Sequence, residues 1–186
     1  MNPTSNKSDF EDLTTNLKDL AYSYLEKYNP SKQQLKVYLL KKYLTKIKGT
    51  KSKKEVTSII NEIVLNLEKN KILNDELYSD SKARMFLRRG YSLNKINKSL
   101  RNKGIDEQYV KKSIEKIKEN QIEPDFVSAL KLCKKRRIGP VRPNENRELF
   151  YKKDMGILAR GGFNFDLSKR VLDLDGDEFK KLLRLI

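Results

Sequence analysis

Lys134, Lys135, Arg136, Arg137 and Arg142 place five cations within nine residues, the first four of them consecutive. Guanidinium and ammonium groups at that density do one kind of chemistry well: they meet phosphates or carboxylates and release the counterions those groups had held. Arg88 and Arg89, directly before Gly90, form a smaller pair of the same type. Both runs fall where helix ends are expected, and cations there also favour the helix dipole, so a solvated helix terminus is the competing reading of each. If the larger run is such a surface, replacing Arg136, Arg137 and Arg142 with Ser should weaken binding and leave the melting curve nearly unchanged. Tyr91, Phe163 and Phe165 stand beside Gly turns, where aromatics either stack on nucleic-acid bases or pin the turn to the core.

Bond-making chemistry has little to work with. The chain contains no His, which removes the commonest general base and metal ligand and every nucleophile that depends on imidazole. It has no G-x-x-x-x-G-K-[ST] phosphate loop. Asp173, Asp175, Gly176, Asp177 and Glu178 resemble a calcium loop, but the Gly falls one position early and Arg184 occupies the place of the terminal Glu. Cys133, the single cysteine, lies on an apolar helical face, where a packed, inert thiol is expected. The reading is therefore a protein with no catalytic residue, no metal and no cofactor, which hydrolyses neither ATP nor DNA. One cysteine also excludes an intramolecular disulfide and points to a reducing cytoplasm.

Lys and Arg number 41 against 25 Asp and Glu in 186 residues, a formal net charge of +16. That charge draws the chain to DNA or to an acidic protein surface, although many Lys beside many Asn and Ile is also what an AT-rich coding bias produces. Apolar stretches such as Ile63-Val64-Leu65 are far shorter than the roughly 20 residues a membrane helix needs. Residues 1–16 carry no apolar core of a signal peptide, so neither membrane nor export is expected, and 1–16 reads as a flexible tail.

What positions the cations is a series of helices. Leu17, Leu20, Ala21, Tyr24, Leu25 and Tyr28 share one helical face, Pro30 and Ser31 stop that helix and start another over Lys32–Ile47, and a basic linker spans Gly49–Lys54. Val56, Ile59, Ile60, Ile63, Val64 and Leu67 then predict a third helix ending near Asn70. The pattern recurs: a helix over Asp75–Arg89, one over Leu93–Lys103 capped by Ser92, and one capped by Asp106. Ser31, Leu35, Leu39 and Lys42 match Ser92, Ile96, Leu100 and Lys103, while Asn70, Ile72 and Asp75 match Asn120, Ile122 and Asp125. A third copy starts at Pro124, continues over Glu145–Ala159 and ends with Asp166–Leu174; its Leu158, Gly162 and Phe163 stand for Leu100, Gly104 and Ile105. No stretch alternates with period two, so no strand is predicted. The fold class is all-α, an elongated array of three tandem three-helix repeats at residues 17–74, 75–122 and 123–175, followed by a tail at 176–186. A bundle folded around one core is the alternative.

Two stretches carry a family likeness. Ala83–Ser92 (ARMFLRRGYS) with Leu100–Asp106 (LRNKGID) resembles the middle repeat of the RecX family of recombination regulators, and Lys134–Pro143 with Asp154–Phe163 resembles its C-terminal repeat. The likeness covers about residues 17–175; the long Lys48–Lys54 linker and the missing Gly-aromatic-Asp turn in the first repeat depart from it. The resemblance implies a non-enzymatic protein that binds the RecA recombinase and its nucleoprotein filament and damps ATP hydrolysis, strand exchange and repressor cleavage in DNA repair and the SOS response; a monomer is expected. A direct, sequence-independent binder of single- or double-stranded DNA is the second reading that the charge allows.

Overall fold

A computed structural model describes residues 3–47 and 52–185. Ten α-helices follow one another, with no strand among the described residues: α1 (Pro3–Lys27), α2 (Lys32–Lys42), α3 (Lys53–Lys69), α4 (Asp75–Arg88), α5 (Leu93–Arg101), α6 (Glu107–Asn120), α7 (Pro124–Arg136), α8 (Asn144–Arg160), α9 (Phe165–Leu172) and α10 (Gly176–Arg184). The fold is all-α, as the spacing predicts.

Helix starts follow local chemistry. Ser31 and Ser52 each close a capping box, with Gln34 and Glu55 reaching back to the cap backbone. Ser92, Asn164 and Asp175 accept N–H groups of the first turns of α5, α9 and α10. Asp106 stands at the predicted N-cap of α6 but makes no side-chain cap bond. The helix expected to run to Ile47 loosens into a π-helical turn at Tyr43–Ile47. Of the predicted basic linker, residues 48–51 lie outside the described residues, and Lys53 and Lys54 already belong to α3.

Both expected tails are helical instead. The helix begins at Pro3, and Leu13 packs into the core one turn before Leu17, extending the apolar stripe backwards. At the other end Asp175 caps α10, and Phe179, Leu182 and Leu183, spaced i, i+3 and i+4, turn inward; Phe179 is buried.

The chain divides into two compact units, Met1–Tyr78 with Lys103–Ile105, and Ser79–Asn102 with Asp106–Ile186. The core of the first is built from Leu17 and Ala21 of α1, Leu35 and Leu39 of α2, and all six predicted apolar residues of α3. In the second, Phe126, Leu130 and Cys133 of α7 meet Leu158 of α8, Phe163, and Val171 and Leu172 of α9. Each fully buried Leu, Ile or Phe contributes about 1.5–3 kcal/mol, so stripes of this length hold helices that are short for their charge.

One joint occurs in both units. In the first, the Ser31 hydroxyl donates to the Lys103 carbonyl, the Lys32 N–H donates to Asp75 Oδ1 at 2.9 Å, and Gly104 sits against Gln33. In the second, the Ser92 N–H donates to the Gly161 carbonyl, the Leu93 N–H donates to Asp125 Oδ1 at 2.7 Å, and Gly162 sits against Ser92 and Lys95. Residue pairs that match in sequence thus make matching contacts: the N-terminus of one helix, an Asp from the start of a second, and a glycine turn ending a third. Gly104 and Gly162 have φ of +73° and +89°, and a Cβ on either would fall within 2.4 Å of the facing helix.

Candidate anion-binding cleft

The basic run lies where α7 ends. Lys134, Lys135, Arg136 and Arg137 are all exposed. Arg137 takes a left-handed backbone (φ 53°), and the Ile138 N–H reaches back to the Cys133 carbonyl as Ile138 plunges into the core. That termination leaves the four cations around a helix C-terminus, where the dipole favours them.

Arg136 also enters a hollow of 340 Å³ together with Tyr91, Lys95, Leu132, Ile157, Arg160 and Gly161. The second joint builds this cleft. Lys95 Nζ donates to the Arg160 carbonyl at 2.7 Å, capping the end of α8, and lies 4.3 Å from the Tyr91 ring centroid. The Tyr91 ring in turn stacks on Phe86 at 5.3 Å. Gly90 packs its Cα against Ser128 and Leu132 of α7, so the α4 end that bears the exposed Arg88 and Arg89 abuts the helix that bears Arg136. The result is a concave surface with cationic rims and an apolar floor, suited to a phosphate or carboxylate group. Of the three aromatics beside Gly turns, Tyr91 and Phe163 pin the turns, Phe163 being buried, and Phe165 is 66% exposed.

Arg142 does different work. Its Nε and Nη2 donate to Asp154 Oδ2 and Oδ1 at 2.7 and 2.8 Å, and its guanidinium lies 4.5 Å from the Phe150 ring centroid. Asp154 is 1% exposed and also accepts the Gly139 N–H at 2.8 Å. Arg142 therefore neutralises a buried carboxylate, and the expectation that its replacement spares the fold is corrected: its loss would leave that charge in the core without its counter-cation.

Sequence reasoning missed Lys95 and Arg160. Lys95 sits in the first turn of α5, where the dipole disfavours cations, and only the neighbouring carbonyl explains it. The matched pair Gly104 and Gly162 was the available signal, since it marks which helix ends meet. Burial pushes the Cys133 thiol up to about 12, in keeping with a packed, inert side chain. The acidic run near the C-terminus caps a helix: Asp175 Oδ1 accepts the N–H groups of Asp177 and Glu178. Among the described residues no group of His, Cys, Asp and Glu could hold a metal ion, and no helix is long and apolar enough to cross a membrane.

Fold and site together define an all-helical repeat protein with a cationic cleft at the joint between repeats. No family model matches the chain. It is 34% identical over 161 residues to the regulatory protein RecX of Myxococcus xanthus, covering 86% of this chain and 85% of that one, and 26% identical over 113 residues to the regulatory protein RecX of Agrobacterium fabrum, covering 61% and 58%. A crystal structure of RecX from Lactobacillus salivarius superposes with a TM-score of 0.59 at 18% identity, covering 95% of this chain and 99% of that one. A second RecX crystal structure gives 0.63 at 20% identity, covering 94% and 79%. The chain belongs to the RecX family of regulatory proteins.

Proposed function

We propose that this protein binds the RecA recombinase and its nucleoprotein filament and restrains filament ATPase, strand exchange and coprotease activity, acting in the cytoplasm as a non-enzymatic monomer. Family membership carries this reading. In it the chain is an array of repeats at 17–74, 75–122 and 123–175, whose several weak contacts along a filament act together through high effective concentration. Lys134, Lys135, Arg136 and Arg137, with Arg88, Arg89 and Arg160, supply the cationic contact; Arg142 serves it by holding the turn after α7.

The test is suppression of filament ATPase by a variant carrying Lys134→Ser, Lys135→Ser, Arg136→Ser and Arg160→Ser. Suppression should weaken about tenfold and its salt dependence should flatten, since fewer counterions are released, with stability unchanged within about 0.5 kcal/mol. Loss of bare-DNA binding with full suppression of the ATPase would assign the cleft to nucleic acid alone. Wild-type behaviour in both assays would make it a solvated helix end.

A further inference from the structure

Two helices end at the cationic cleft with the same kind of residue pair. Leu132 and Arg136 stand one turn apart on α7, and Ile157 and Arg160 stand one turn apart on α8, so each helix turns an aliphatic side chain and then a guanidinium toward one hollow. Leu132 is 7% exposed and forms floor, whereas Arg136 and Arg160 are exposed at the last residue of their helices. Arg101, Arg142 and Arg170 are each held by a carboxylate; no acid among the described residues pairs with Arg136 or Arg160. None of the residues lining the hollow is acidic, so nothing in the lining repels an anion.

The hollow is poorly made for a nucleic-acid base. Stacking needs an open ring, and the ring in the lining, Tyr91, already has Phe86 stacked on it at 5.3 Å and Lys95 Nζ 4.3 Å from its centroid. Lys95 Nζ is committed as well, to the Arg160 carbonyl at 2.7 Å. What remains for a ligand is two guanidinium forks above an aliphatic floor, in a volume of 340 Å³. A guanidinium fork binds a carboxylate through two parallel N–H···O bonds. An aliphatic floor offers no partner to a sugar or a base edge, but it takes an aliphatic side chain out of water.

We propose that the cleft recognises an acidic peptide segment of the protein partner, seating an Asp or Glu carboxylate on Arg136 and Arg160 and the aliphatic side chain beside it on Leu132 and Ile157. This rests on the reading of the chain as one that acts on another protein, and it names the chemistry of the contact. Charge alone would make the cleft indifferent to which polyanion it meets; the floor makes it selective for an anion with an apolar neighbour. Lys134, Lys135 and Arg137 lie outside the lining and add attraction without selection.

Three probes titrated into the ¹⁵N-labelled full-length chain test this: a blocked peptide Gly-Ser-Glu-Leu-Glu-Ser-Gly, the same peptide with Ser in place of Leu, and a thymidine trinucleotide, which carries the same charge. The leucine peptide should give saturable shifts at the amides of Lys95 and Gly161 and bind about tenfold more tightly than either of the others. A chain carrying Arg136→Ser and Arg160→Ser, two exposed changes, should bind it at least tenfold more weakly. Ile157→Ala should remove most of the preference for leucine over serine and leave the affinity for the serine peptide unchanged, a pattern that general loosening of the fold would not produce. Equal affinity for the two peptides, a trinucleotide bound as tightly as the leucine peptide, or no shift at those amides at millimolar peptide overturns the proposal. The titrations contain no recombinase and so are independent of the filament assay. A chain that selects the leucine peptide but leaves the filament ATPase untouched supports this ligand class and removes the proposed partner. One that restrains the ATPase through Arg136 and Arg160 yet ignores the leucine overturns the selectivity alone.

Discussion

At the scale of single residues, Arg136 and Arg142 belong to one basic run and differ in what lies beneath them. Arg136 lines an open cleft, and Arg142 is the counter-charge of a carboxylate that is 1% exposed. Arg142→Ser should therefore cost about 3–5 kcal/mol, a fall in Tm of roughly 10 °C for a chain of this size. Arg136→Ser should stay within about 0.5 kcal/mol. Arg137→Gly should raise stability by up to about 1 kcal/mol, because Arg137 holds a left-handed backbone that glycine adopts without strain. Thermal unfolding followed by circular dichroism separates the three; equal Tm values for Arg136→Ser and Arg142→Ser would contradict the buried pair.

Elements here are joined end to end by close contacts, which makes two glycines of α8 and its turn respond oppositely to the same change. A Cβ on Gly162 would lie 2.3 Å from Ser92 Oγ and 2.8 Å from Lys95 Cβ, at a φ of +89°. Gly162→Ala should destabilise by more than about 2 kcal/mol and open the cleft, since Lys95 would lose its seat on the Arg160 carbonyl. Gly156 lies inside α8, where the nearest atom to a new Cβ is Arg160 Nη1 at 3.5 Å, an ordinary contact. Gly156→Ala should stabilise by about 0.5–1 kcal/mol. Denaturant midpoints of the two variants falling on the same side of wild type would refute the joint as described.

Over the whole molecule the net charge of +16 repels itself. Few of the ion pairs are buried; those joining Arg101 to Glu107 and Arg170 to Glu123 are each about half exposed and add little. Screening of this repulsion should outweigh the weakening of such surface pairs. Raising salt from about 0.05 M to about 0.5 M should accordingly raise Tm by several degrees while it weakens binding to any polyanion. A Tm that falls over this range would show that the surface pairs, rather than the excess charge, set the electrostatic balance.

What the sequence determined by itself was periodic or local. The six apolar residues of α3 are all in the core, Ser31 and Ser92 cap the helices they precede, and the matched residues of the repeats occupy matched joints. A helical stripe, a cap and an internal repeat are each written within a few turns of chain, so sequence spacing suffices to read them. The tails were misread for the same reason: Leu13 and Phe179 become core residues only because distant helices offer them a face. The site divided along this line. The run of cations was plain in the sequence, but its sorting into exposed Arg136 and paired Arg142 was not, because it depends on where Asp154 comes to lie. Lys95 and Arg160, 65 residues apart, become neighbours only through the seating of Gly161 and Gly162 on the start of α5. Charge type is a property of the residue, whereas desolvation and the nearest counter-charge are properties of the packed chain, and these decide which cations remain open to a partner.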